Sequence, residues 1–315
     1  MSPSNLEKQL KHERNSKGIL VPLLEDFMRQ PVDIDSQEDV DWMTNLLEIM
    51  VERDERRKGD DKVFSPSQLA SCLRYVYLLR HYKQLDIAKM KELRIEPSYY
   101  FLTGNFLHLK WQFALYKMEK RINDPDIFQL YAVEEPILSK RKDHGGTVDG
   151  IVLVHGEPFI ADFKGLNVRS FGEITRAFVP HQYLVQLSDY MMLWNSQRSK
   201  DFRIEKALLI AENKGGPDAK HPIALHEHVI HSGEHVDEVK LRLEVLREHE
   251  EAKTIPHPEC ETTKGFQFAG CPFQKFCKTE VKEIEKIRRA QSSDSALKVA
   301  RPPKRKKKGR AGRMG

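Results

Sequence analysis

The sequence predicts an α/β protein with a mixed central sheet flanked by helices. Three observations predict it. Residues 131 to 230 run through "YAVEEPILS", "GTVDGIVLV", "PFIADFKG", "HQYLVQLSDYMMLWNS" and "KALLIAEN". That order of strand, strand, strand, helix and strand calls for a sheet with helices packed against it. The flanking segments carry helical periodicity and capping signals. A chain of 315 residues with 39% apolar and 31% charged content also has enough apolar matter for one substantial core with appendages.

Each element has a local cause. In "EDVDWMTNLLEIMVERDERR" the residues Val40, Met43, Leu47 and Met50 form one stripe at helical spacing, read as a packing face of a helical N-terminal extension over 1–62. "FSPSQLASCLRYVYLLRHY" opens with Ser65 as N-cap and Pro66 at the first helical position, which predicts one continuous helix. A second helix is predicted around "GNFLHLKWQFALYKMEK". Residues 63–290 are read as the main domain, whose last helical section carries cysteines; 291–315 are read as a disordered basic tail.

Charge and hydropathy narrow the function classes. No run reaches the roughly 18 to 20 apolar residues of a membrane span, and "MSPSNLEKQLKHERNSKG" lacks the apolar centre of a signal peptide. An intracellular, cytoplasmic location without a membrane partner is expected. The net charge of +5 hides an asymmetry: the 18 residues from Lys298 carry nine Lys/Arg and no acid, so the rest of the chain is net acidic. Such an arm either aids solubility or attracts phosphate, and in a eukaryotic host it reads as a nuclear address.

The stretch "GTVDGIVLVHGEPFIADFKG" carries the chemistry. A two-residue hairpin loop at His155-Gly156 pairs Val154 with Glu157, and the count back places Asp149 opposite Asp162 on the same face. Lys164, two residues on, points to that face as well. Paired carboxylates repel unless a cation lies between them. A divalent ion such as Mg²⁺ or Mn²⁺, which takes oxygen ligands, is the simplest occupant, and the lysine adds a fixed charge able to hold water or stabilise a phosphate. A D-x-K tripeptide alone is ordinarily an exposed ion pair. Here it has company: Gln186 and Tyr190 share a helix face with Gln182 one turn earlier, and His108 follows Gly104 by one turn.

The set G-x-x-x-H (Gly104 to His108), G-x-x-D (Gly146 to Asp149), D-x-K (Asp162 to Lys164) and Q-x-x-x-Y (Gln186 to Tyr190) resembles, in order and spacing, the RecB-type branch of the PD-(D/E)XK nucleases. Val148 stands where the superfamily's name has proline. The resemblance spans about residues 64 to 280 and implies a restriction-endonuclease-like core. It implies His108, Asp149, Asp162 and the Phe163 carbonyl as metal ligands, Asp149, Asp162 and Lys164 as catalytic residues with Lys164 positioning water, and Gln182, Gln186 and Tyr190 along the DNA backbone. The implied activity is a metal-dependent deoxyribonuclease, exonuclease rather than endonuclease, acting on DNA ends or single strands in recombination, repair or replication, viral replication included. DNA is the implied partner. No G-x-x-x-x-G-K-[ST] loop is present, so unwinding would need a separate helicase or a recombination or replication protein. The alternative in another class is an adaptor of this fold that binds DNA ends for a partner enzyme.

Four cysteines occur: Cys72 before the core, then Cys260, Cys271 and Cys277 after it. Reduced thiols are the ordinary expectation in an intracellular protein. Their placement resembles the iron–sulfur staple of the AddB-type and CRISPR-adaptation nucleases, which implies a [4Fe–4S] cluster and an iron–sulfur-stapled C-terminal region, with Zn²⁺ as competing occupant. The ten-residue gap from Cys260 to Cys271 is longer than that pattern.

Four further features are weighed more lightly. His226 and His228 in "HPIALHEHVIHSGEH" alternate along a strand and are expected to face solvent, which leaves that run without a metal site of its own. Glu134 or Glu135 is read either as approaching the site from a neighbouring strand or, more ordinarily, as a solvated charge. Arg74 is read as touching substrate phosphate or lying exposed on its helix. Phe101, Phe106, Trp111 and Phe113 are read as core rather than base-stacking platforms.

Overall fold

A computed structural model describes residues 18–59, 63–87, 96–175, 179–198, 202–216, 224–260, 271–284 and 286. The basic tail lies outside these residues. The chain divides into two compact units, Met1–Arg80 with Glu92–Pro256, and His81–Lys91 with His257–Gly315. Among the described residues no helix is long and apolar enough to cross a membrane.

In the first unit the elements run α1 (Val21–Met28), α2 (Gln37–Gly59), α3 (Pro66–Leu69), α4 (Leu73–His81), α5 (Glu96–Ile122), β1 (Phe128–Leu138), β2 (Gly145–Val154), β3 (Glu157–Leu166), α6 (Val168–Ile174), α7 (His181–Gln197), β4 (Lys206–Asn213), β5 (Leu225–His231) and α8 (Val236–Ala252). The five strands form one sheet in the order β1-β2-β3-β4-β5. Only β3 and β4 pair in parallel; the other neighbours are antiparallel. A parallel pair needs a crossover, and α6 and α7 supply it. This is the mixed, helix-flanked α/β core expected of the restriction-endonuclease-like class.

Alternation along the strands splits the core into two layers. Phe159, Ala161 and Phe163 of β3, with Leu208 and Ile210 of β4, join α1 and α5 residues such as Leu24, Trp111 and Leu115. Ile160, Ala207 and Leu209 join Leu187, Met191 and Trp194 of α7. The strand β4 is buried on both faces, so "ALLIA" is an uninterrupted apolar run.

The β2–β3 hairpin follows its sequence. His155 and Gly156 both have positive φ, 53° and 75°, as a two-residue turn of matching twist requires. Val154 pairs with Glu157, and the ladder continues to Gly150↔Ala161.

Three local expectations change. The helix predicted from Ser65 onward is two. Ser65 and Gln68 form a capping box for α3, which ends at Leu69, and α4 starts at Leu73. The break is stabilised because the Arg242 guanidinium donates to the carbonyls of Leu69 and Ser71. On α2 the inward face follows the apolar stripe only in part: Met50 is buried and Met43 half-buried, but Val40 and Leu47 are exposed, and Asp39, Leu46 and Arg53 are buried instead. Two of those three are charged, so apolar periodicity alone misplaces the face. His226 and His228 are half-buried rather than solvent-facing. Their rings meet edge to face at 4.6 Å, and His228 Nε2 lies 2.9 Å from the Ile174 carbonyl.

In the second unit Tyr82 and the buried Phe273 pack with ring centroids 5.9 Å apart. Cys260, Cys277 and Val281 form a small buried cluster.

Candidate metal centre

The hairpin ladder stops one pair short of the two aspartates, and that stop creates the site. A ladder continued past Gly150↔Ala161 would bring the Phe163 N–H to the Val148 carbonyl. Instead the Asp149 carboxylate accepts that N–H at its Oδ2, 3.0 Å away. The strands part there, and acidic side chains fill the opening in place of backbone.

Four elements converge on it. From α5, His108 brings Nδ1 within 3.1 Å of Asp149 Oδ1. From β3, Lys164 Nζ lies 2.8 Å from each oxygen of Asp162 and donates to Oδ1. From β1 comes Glu134, buried rather than solvated. Ligand atoms of His108, Glu134 and Asp149 lie within 4.8 Å of one another. Val133 pairs with Gly150 and Glu135 with Val148, so Glu134 falls opposite Asp149. Its φ of 49° puts a non-glycine residue in the left-handed region, a strained backbone of the kind that collects at functional sites. Glu135 stays at the surface, paired with Arg198 at 3.1 Å.

Two residues absent from the sequence-level reading hold this arrangement. Gln112, four residues after His108 and so on the same face of α5, donates from Nε2 to Glu134 Oε1 (2.9 Å) and to the Asp149 carbonyl (2.8 Å). Arg53 of α2 donates to Glu134 Oε2 at 2.7 Å, both side chains being buried. The spacing of Gln112 from His108 was a usable signal. Nothing in "ERDERR" separates Arg53 from its neighbours.

The electrostatics follow from burial and pairing. Burial pushes the Asp149 carboxyl up, but the His108 imidazole, Lys164 and the Phe163 N–H outweigh it and hold it down at about 2. Asp162 goes the other way: burial raises it, Asp149 adds to the rise, and Lys164 opposes it. Asp149 raises His108 against the effect of burial. Asp162 and Asp149 together raise Lys164 despite its burial, which fixes its positive charge.

Three buried atoms of the site are left without a hydrogen bond: His108 Nδ1, Asp162 Oδ2 and Gln112 Oε1. The first two each have an opposite charge close by without a hydrogen bond to it. Orphaned lone pairs facing a carboxylate-rich opening are what a bound cation would satisfy, and one imidazole with several oxygens suits Mg²⁺ or Mn²⁺.

The remaining expected residues distribute unevenly. Gln186 and Tyr190 are buried, and burial near the two aspartates raises the Tyr190 phenol. The Tyr190 ring packs over Gly146, where a Cβ would stand 3.3 Å from Tyr190 Cε1 and 2.9 Å from Pro66 Cδ. Close approach therefore requires the glycine of G-x-x-D. Gln182 is exposed. Arg74 is buried rather than exposed, and its Nε donates to the Pro256 carbonyl. Trp111 and Phe113 are core as expected; Phe106 is exposed, and the Phe101 side chain lies outside the described residues.

The cysteine expectation requires correction. None of the four cysteines is in a disulfide. In the second unit Cys260, Cys271 and Cys277 do not form a three-ligand group at metal-ligand spacing, and Cys260 and Cys277 pack with Val281 as small apolar side chains do. A zinc staple needs that spacing, and the wider [4Fe–4S] staple is not shown among the described residues.

No protein-family model matches the chain, and no curated protein matches it in sequence. Solved structures similar to it include the following two. One, the crystal structure of SSO0001, is 14% identical, with a TM-score of 0.41 over 82% of this chain and 94% of that one. The other, the crystal structure of an alkaline exonuclease (LHK-Exo) from Laribacter hongkongensis, is 11% identical, with a TM-score of 0.40 over 62% of this chain and 91% of that one.

Proposed function

We propose that the chain is a divalent-metal-dependent deoxyribonuclease acting as an exonuclease on DNA ends or single strands. The observation that carries this reading is the parted hairpin end. There His108, Glu134 and Asp149 stand at ligand spacing beside the Asp162–Lys164 pair, with His108 Nδ1 and Asp162 Oδ2 lacking hydrogen bonds.

His108, Asp149, Asp162 and the Phe163 carbonyl would hold the ion, with Glu134 as a further carboxylate. When bound, such an ion supplies Lewis acidity toward a phosphoryl oxygen and lowers the pKa of bound water. The chain's own residues do the rest. Lys164, charged across the neutral range, holds a water or a non-bridging phosphate oxygen beside Asp162. Arg53 and Gln112 keep Glu134 in place, and Gln112 also fixes the Asp149 backbone. Gln186 and Tyr190 pack against the glycine that precedes Asp149 and so maintain the opening. Gln182, exposed on the same helix, is free to meet the DNA backbone.

The deciding experiment is degradation of end-labelled single- and double-stranded DNA with Mg²⁺ or Mn²⁺, beside Lys164→Ala and Asp162→Ala. Loss of digestion in both variants and in chelator, with DNA binding retained, supports the reading, and the label released first gives the polarity. Unchanged digestion in the variants overturns it. Intact DNA with binding in every protein would favour the adaptor alternative.

A further inference from the structure

His181 is the first residue of α7, and His235 and Glu238 lie at the start of α8, 57 residues away in sequence at the longest step. Their side chains meet. His181 Nε2 is 2.9 Å from Glu238 Oε1, His235 Nδ1 is 3.6 Å from Glu238 Oε2, and the two rings stand edge to face at 5.2 Å. All three ligand atoms lie within 4.8 Å of one another.

Hydrogen bonding alone explains half of this arrangement. The His181 contact is a hydrogen bond, whereas 3.6 Å is too long for one, so His235 faces the carboxylate without bonding to it. Nor does His235 cap its own helix, since its side chain makes no capping bond. Zinc bonds to nitrogen and oxygen of about 2.1 Å at a tetrahedral angle place neighbouring ligand atoms roughly 3.4 Å apart. Each imidazole stands near that spacing from one oxygen of the carboxylate, His181 at 2.9 Å from Oε1 and His235 at 3.6 Å from Oε2. Arg242, anchored on the Leu69 and Ser71 carbonyls, comes to 3.7 Å from Glu238 Oε1 and places a positive charge beside the carboxylate.

We propose that His181, His235 and Glu238 form a second metal site, taking a divalent transition ion of the zinc class through two imidazole nitrogens and one carboxylate oxygen. Two nitrogens and one oxygen select against Mg²⁺, which takes oxygen ligands. Three protein ligands leave a fourth position open to water, and the side chains are accessible enough for the ion to enter: His181 is 62% exposed, His235 21% and Glu238 30%. Occupancy ties the start of α7, the helix of Gln182, Gln186 and Tyr190, to the start of α8. The site shares no residue with the central opening, so it stands whether or not the nuclease reading does.

The test is equilibrium dialysis of the full chain against Zn²⁺ in excess Mg²⁺, with bound metal counted for the wild type, Glu238→Gln and His235→Ala. One equivalent fewer in both variants is the expected result. Zn²⁺ at a hundredfold its Kd should also raise the Tm of the wild type by ~5 °C more than that of the variants. Co²⁺ in place of Zn²⁺ separates this site from the thiols: the absorption lost in Glu238→Gln should be ligand-field absorption and not thiolate charge transfer. Equal metal content in the wild type and Glu238→Gln, a substitution that keeps the side chain's shape, overturns the proposal. Loss only of a thiolate band overturns it too.

Discussion

Two helices, α7 and α2, attach to the same unit by opposite physics. The helix α7 buries Val185, Leu187, Met191, Leu193 and Trp194 over one face of the sheet. The helix α2 buries Leu46 and Met50 but is fastened at both ends by charge: Lys117 reaches Asp39 and Asp35 at 2.8 Å each, and Arg53 reaches Glu134. Apolar burial is indifferent to partner identity and roughly proportional to area. Buried ion pairs depend on both members, and removing one strands the other. The charged end of α2 also terminates on Glu134, inside the candidate metal centre. A segment read from sequence as an extension is therefore a strut of the site.

The largest expected effect tests the apolar attachment. Trp194 is fully buried, so Trp194→Ala should cost about 3 to 5 kcal/mol in urea unfolding of the whole chain. A cost under 1 kcal/mol would mean that α7 does not depend on that contact.

Arg53→Ala should come next, at about 3 kcal/mol, because it leaves the buried Glu134 carboxyl without its guanidinium, with Gln112 still donating to it. The informative companion is Arg53→Met with Glu134→Leu. Replacing the pair by apolar side chains should return stability to within about 1 kcal/mol of wild type while Mn²⁺ affinity stays reduced. Recovery of both would show that the pair is a fastening and nothing more.

Smaller again is the effect of acid. Burial raises the Asp39 carboxyl, but Lys117 and the groups of Asp35 and Ser36 outweigh it and hold it well below its ordinary value. Asp143 is depressed likewise: burial raises it, and Arg247 and Ser139 more than offset that. A carboxyl depressed in the folded state contributes stability in full above its unfolded pKa of about 3.9, and that contribution is lost as pH falls through the folded value. Unfolding followed from pH 6 to pH 2 should show declining stability below about pH 4. In Asp39→Asn the decline should be shallower, and an unchanged slope would remove Asp39 from the account.

How far the sequence could be read follows the same division. The hairpin was legible because a two-residue turn with glycine fixes register, and register fixes which side chains come together. Gln186 and Tyr190 were legible because helical spacing puts them on one face. Glu134 was not, since an acid in a strand next to a second acid gives no indication of which one is buried, and its role depends on Arg53 and Gln112 from two distant helices. The cysteines misled for a related reason. Spacing along the chain suggested ligands, while in the fold Cys260 and Cys277 are buried beside Val281.

The smallest predicted effect bears on the same lesson. Sequence periodicity places Val40 and Leu47 inward on α2, and truncating a buried leucine would then cost about 2 to 5 kcal/mol. In the fold both are exposed, Val40 at 44% and Leu47 at 46%, because the helix is rotated to bring Asp39 and Arg53 to their partners. Leu47→Ala should therefore shift unfolding by about 0.5 kcal/mol or less, with helix content unchanged, since alanine is the better helix former. A loss of 2 kcal/mol or more would return α2 to the apolar orientation and detach Arg53 from Glu134. The smallest measured number thus checks the contact on which the second-largest prediction depends.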